Sequence, residues 1–114
     1  MPSMRVVNLE QGLPSSDEAL RRLEVALESA RRERIRVLKL IHGYGSGGSS
    51  GQLRIRIRSA LRVAKQNGAL EFFVTGEDWR ISDELSWELL RRLPELKQDC
   101  DLGRRNRGIT FVLL

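Results

Sequence analysis

One cysteine and one histidine occur among 114 residues, with three prolines and only 5% aromatics. Cys100 has no partner for an internal disulfide. A four-ligand Cys/His zinc site cannot be assembled either. Any Ser-His-Asp or Cys-His arrangement has His42 as its sole imidazole. Long apolar runs are absent: the longest, Ile109 to Leu114, is far too short to span a bilayer, so no membrane partner is expected. The first residues, Met1-Pro-Ser-Met-Arg5, lack the apolar core of a signal peptide. The expected location is the cytoplasm, with Cys100 reduced. The length suits one domain, residues 1–114, able to bury a core without staples.

Charge is abundant and uneven. The formal net charge is +5, and seventeen of the twenty basic residues are arginine. Residues 31–65 carry ten basic groups against Glu33 alone, whereas residues 66–101 carry four basic and nine acidic groups. Arg104, Arg105 and Arg107 follow near the end. A concentrated positive field attracts polyanions, and the planar guanidinium suits phosphate.

Periodicity predicts alternating strands and helices. Residues 4–9 read as a strand broken by Gly12 and Pro14. Ser15 with Glu18 forms a capping-box signal before an amphipathic helix over 17–33, with Leu20, Leu23 and Leu27 on its core face. Residues 35–41 are nearly continuously apolar, as in a strand buried on both faces. Residues 52–66 alternate like a strand at first, but the longer helical pattern and the Asn67-Gly68 stop favour a helix. Residues 69–75 read as a strand holding core residues Phe72 and Val74. A helix follows from an N-cap at Ser82 to about Leu93, ahead of Pro94. Residues 95–108 look irregular, and 109–114 read as a last strand with Phe111 and Leu113 in the core. The expected fold is α/β: a two-layer open sheet of about four strands, in the order β-α-β-α-β-α-β.

Five of the ten glycines fall between His42 and Gly51. This loop follows a strand and precedes a helix, where open α/β sheets bind ligands and helix N-termini favour phosphate. Gly43, Gly45 and Gly48 match G-x-G-x-x-G, but the position and the chain length argue against a dinucleotide fold, and no P-loop lysine follows. The expected phosphate contacts are His42, Gly43, Tyr44, Gly45 and Gly48, then a basic stripe of Arg54, Arg58, Arg62 and Lys65. Tyr44 offers a ring that can stack on a base. Glu77, Asp78 and Trp79 form an acidic-aromatic loop expected at the same sheet end, with carboxylates of the kind that bind divalent cations.

Val37-Leu38-Lys39-Leu40-Ile41-His42-Gly43-Tyr44-Gly45 resembles the V-x-x-I-H-G-x-G motif of the small MutS-related (Smr) domain. The segment Gly47 to Leu53 resembles that family's continuation into its second helix. Asp17-Glu-Ala-Leu20 is similar to the end of its first-helix motif, and Asn106 to Leu113 to its glycine-then-strand ending. The resemblance implies an α/β fold similar to the C-terminal domain of translation initiation factor three. It also implies nucleic-acid binding, DNA or RNA endonuclease activity in several members, and a link to DNA repair or recombination.

Two departures stand out. Asn8 and Glu10 occupy the places of the Asp and the His or Arg in the family's L-D-x-H-G or L-D-x-R-G strand ending, and Asn cannot act as a carboxylate base. Residues 68–100 read as a divergent strand-helix insertion. The leading expectation is therefore a nucleic-acid-binding domain contacting phosphates through the His42 to Gly51 loop, the following helix and Arg104, Arg105 and Arg107. An endonuclease would use His42 with Glu10, or with Glu77 and Asp78, and Mg²⁺ or Mn²⁺; no residue is a certain metal ligand. A third expectation is a protein partner for the acidic 71–101 segment, through Trp79 and Trp87 as exposed aromatics.

Overall fold

Local chemistry sets the element boundaries. A computed structural model describes residues 3–43 and 52–114. Strand β1 (Met4–Asn8) leads to Ser15, whose side chain accepts from the Glu18 backbone N–H and starts helix α1 (Ser16–Arg32). Strand β2 (Val37–Ile41) precedes the glycine loop, and helix α2 (Gln52–Gln66) follows it. The helical reading of 52–66 therefore holds, and Gly68 at φ +75° lies just beyond its end. Strand β3 (Phe72–Thr75) leads to helix α3 (Glu84–Arg92), which is capped by Asp83, not Ser82. The Asp83 carboxylate accepts from the Ser86 N–H, a bond Ser82 is one residue too early to make. Residues Pro94–Gln98, expected to be irregular, form a 3-10 helix before strand β4 (Ile109–Leu113).

The sheet order is β1-β2-β4-β3, with β1 and β2 parallel and β4 antiparallel to both neighbours. Alternation splits the core in two. Leu38, Leu40 and Val112 meet Leu23 and Leu27 of α1 and Ile57 and Leu61 of α2. Val37, Phe111 and Leu113 meet Leu89 and Leu90 of α3 on the opposite face. The four strands and the element order match expectation, but helices cover both faces rather than building two layers. The cause is visible in β2, whose side chains are buried on both faces and so need cover on each.

Trp79 was expected to be exposed and is instead fully buried. Its ring packs 4.4 Å from that of Phe111, and its indole N–H donates to Asp99. The neighbouring Lys39 ammonium lies between Asp99 (2.7 Å) and Asp101 (2.6 Å), and above the Phe111 ring. Burial works against the charge on Lys39, but the hydrogen bonds it donates to Asp101 and Asp99 outweigh it and raise its pKa. Asp99, Cys100 and Asp101 lie close enough to suggest a cation site. Lys39 already neutralises its two carboxylates, so this donor set does not fit a metal ion.

Candidate nucleic-acid interface

One end of the sheet gathers most of the expected site. There β1 ends at Asn8 and Glu10, β2 at His42 and Gly43, and β3 at Glu77, while β4 begins after Asn106 and Gly108. The N–H groups of His42 and Gly43 both donate to the Gly108 carbonyl, at 2.9 and 3.1 Å. Gly43 adopts φ +74°, and a Cβ there would strike the Glu10 carboxylate. The left-handed backbone favours glycine, and any Cβ would force the Glu10 side chain to move, which gives the His42-Gly43 pair a backbone reason. Tyr44, Gly45 and Gly48 lie outside the described residues.

His42 is 1% exposed and cannot meet a ligand in this arrangement. Its ring nitrogens contact Thr110 Oγ1 (2.9 Å) and the Gly43 carbonyl (3.1 Å). Arg58 Nε donates to the same Thr110 oxygen at 3.2 Å. The consistent assignment has the Thr110 hydroxyl donating to Nε2 and the Nδ1–H donating to Gly43. Burial pushes the imidazole down to about 4, and the Arg58 and Arg54 charges act in the same direction. His42 is therefore neutral at pH 7 and fixes the entry to the loop.

This has a measurable consequence. Between pH 6.5 and 4 the unfolded chain protonates His42 while the folded chain does not. The His42 contribution is intact above pH 6.5 and is lost as the pH falls, by at most about 1.4 kcal/mol per pH unit. Urea midpoints across this window will show the loss in the native sequence and a shallower one in His42→Gln.

Arg58, expected on a phosphate-binding stripe, turns inward instead. It grips Glu77 with two bonds of 2.8 and 2.7 Å and also donates to the Ile109 carbonyl. Burial pushes the Glu77 carboxyl up, but the Arg58 hydrogen bonds outweigh it and hold it below the ordinary carboxylate range. Asp78 is exposed and pairs with Arg80. The Asn8 side chain accepts from the Glu10 N–H. Of the carboxylates expected to be catalytic, Glu10 alone has no cation partner among the described residues. One unpartnered carboxylate beside two neutralised ones does not fit a Mg²⁺ or Mn²⁺ site.

The other arginines expected to contact phosphate are different. Arg54 is partly exposed, and Arg62, Arg104, Arg105 and Arg107 are exposed. None of the five pairs with a carboxylate among the described residues, whereas Arg5, Arg21, Arg22, Arg56, Arg58, Arg80, Arg91 and Arg92 all do. Asn106 braces the Arg104–Arg107 loop by donating to Asp101 and accepting from the Gly108 N–H. Sequence reasoning missed Thr110 and Asn106 as organisers of this end. A lone threonine within the apolar run 109–114 was the available signal.

The sequence model of the Smr domain family matches residues 11–75. The chain belongs to the Smr domain family. The crystal structure of the Smr domain of Thermus thermophilus MutS2 matches this Smr domain with a TM-score of 0.60 at 30% identity, covering 96% of each chain. No curated protein matches it. Among the described residues, no helix is long and apolar enough to cross a membrane.

Proposed function

We propose that this Smr domain binds the phosphate backbone of nucleic acid at the sheet end that carries the glycine loop. The observation behind this reading is the set of unpaired guanidiniums on Arg54, Arg104, Arg105 and Arg107 around that end, in a chain where eight other arginines are neutralised. Arg62 extends the set along α2. Arg58 and His42 act differently: both are buried and hold the loop entry and the start of β4 in place. Residues 1–114 work as one unit in this reading, because residues 68–100 supply β3 and α3 to the shared sheet and core.

Binding without cleavage is the expected activity. Glu77 and Asp78 are neutralised by arginines, His42 is buried, and Asn8 offers no carboxylate. A link to repair or recombination follows from the family resemblance.

Titration of labelled duplex DNA and duplex RNA at several salt concentrations tests the reading. The logarithm of the affinity should fall with the logarithm of salt, by about 0.9 per duplex phosphate contacted. Replacing Arg104, Arg105 and Arg107 by Gln should flatten that slope by roughly 2 to 3 units. Salt-independent binding, or an unchanged slope in the variant, overturns the assignment. Denaturing gels of the same mixtures with Mg²⁺, Mn²⁺ or EDTA should show intact strands.

A further inference from the structure

A second group of free arginines lies at the opposite end of the sheet. Helix α1 finishes at Arg32, and the chain turns through Glu33, Arg34 and Ile35 into Arg36 and β2. Arg31, Arg32, Arg34 and Arg36 are all exposed. None has a carboxylate partner among the described residues. The only acid in the turn, Glu33, is taken by Arg5 at 2.9 Å and by the Ser29 hydroxyl at 2.7 Å. Those contacts hold its pKa at about 2, so it stays ionised and committed to Arg5.

The helix dipole accounts for cations at Arg31 and Arg32, within the last turn of α1. It does not account for Arg34 or Arg36, which lie beyond it. Arg34 also adopts φ +58°, in a position just past a helix where glycine is the usual residue. Arg105, in the cluster at the other end, shows the same left-handed backbone at φ +55°. In each cluster an arginine stands where a smaller residue would be less strained, and in each it is exposed and unpaired.

Geometry separates the two clusters. Arg36 precedes β2 and His42 follows it, so about 17 Å of strand lies between them. Along α1 the surface between them is of mixed sign, with Glu18 paired to Arg21 and Arg22, and Glu24 and Glu28 exposed.

We propose that the Arg31–Arg36 turn holds a second segment of nucleic-acid backbone, so that one Smr domain bridges two segments. The proposal rests on the nucleic-acid reading of the opposite end. The chemistry is the same at both ends: exposed, unpaired guanidiniums offering paired N–H donors to phosphate oxygens.

A bridging assay tests it. One duplex of about 20 base pairs, roughly two helical turns, is fixed to beads, and a labelled duplex of the same length stays free. Wild-type protein should retain the label on the beads at about 50 mM salt. The combined variant Arg31→Gln, Arg32→Gln, Arg34→Asn and Arg36→Gln should reduce retention about tenfold or more. Its affinity for a single duplex in solution should change by less than about threefold. Asn tolerates the left-handed backbone at position 34, and none of the four side chains has a hydrogen-bond partner to lose among the described residues. The variant should therefore fold, and Arg34→Gly alone should raise the melting temperature.

Single-duplex binding by the wild type without bead retention overturns the proposal. Retention unchanged in the variant also overturns it, because copies would then be joining through another surface. Equal loss of retention and of single-duplex affinity overturns it too, by placing the turn within the first site. If the wild type binds no duplex at all, the nucleic-acid reading itself fails, and that result is distinct from the other three.

Discussion

Replacing Lys39 by Met should cost about 3–5 kcal/mol of folding stability at pH 7. Met keeps most of the apolar stem and removes only the ammonium that lies over the Phe111 ring, so the change isolates the charge. Without the ammonium, Asp99 and Asp101 face each other with no cation. Asp99 is the more deeply placed, with 6% of its side chain exposed against 18% for Asp101. Burial pushes the Asp101 carboxyl up, but the Lys39 and Asn106 hydrogen bonds outweigh it and hold it below its ordinary value. In the variant that support is lost, one carboxyl protonates more readily, and the deficit should narrow as the pH falls toward 4. Urea melts at pH 7 and pH 4 will measure both effects. Adding Asp99→Asn and Asp101→Asn should recover much of the loss, because removing a whole buried ionic group costs far less than orphaning half of it. A domain of this size has roughly 5–15 kcal/mol in hand, so the single variant is expected to be only marginally folded.

Gly76→Ala should cost about 3 kcal/mol and weaken nucleic-acid binding as well. The new Cβ would land on the Asn106 carbonyl oxygen and lie 2.7 Å from Cγ1 of Ile109. Neither obstacle is the end of a flexible side chain, so the Asn106 turn has to move. Gly76 is also held from its own side, since its N–H donates to the Ile109 carbonyl at 2.9 Å. The displaced turn is the one that carries Arg104, Arg105 and Arg107. Calorimetry should show a melting temperature lower by roughly 10 °C or more. Duplex titration well below that temperature should show reduced affinity in protein that is still folded. Unchanged affinity would separate the turn from the binding surface.

Elements were legible in this sequence because their periods are local. The α1 stripe, the buried run of β2 and the Asn67-Gly68 stop each report on neighbours a few residues away. Residues 52–66 were ambiguous only in their first half, and the longer pattern decided them. The pairings that define the site are not local. Arg58 meets Glu77 nineteen residues on, Lys39 meets Asp99 sixty residues on, and His42 meets Thr110 sixty-eight residues on. A helical stripe says that Arg54, Arg58 and Arg62 lie on neighbouring faces. It does not say that Arg58 sits over the start of β4 and finds a carboxylate. The same blindness made Trp79 look exposed, because its loop is acidic while its ring belongs to the α3 side of the core. The Arg31–Arg36 turn stood in plain view as charge. Its significance depended on Glu33 being committed to Arg5, which only the folded chain reveals.

The place of β4 in the sheet has a consequence for how the chain is made. The strand order runs β1-β2-β4-β3, so the last of these four strands to be synthesised fills the gap between two earlier ones. Until residues 109–113 leave the ribosome, β2 and β3 each present an open edge, and Thr110 is not there to accept from Arg58 or donate to His42. The nascent chain then holds β1, β2 and β3 with no strand between β2 and β3, and its exposed apolar surface is ready to pair elsewhere. Final assembly is a late event in which one short strand closes the sheet and seats the polar cluster of His42, Arg58 and Thr110.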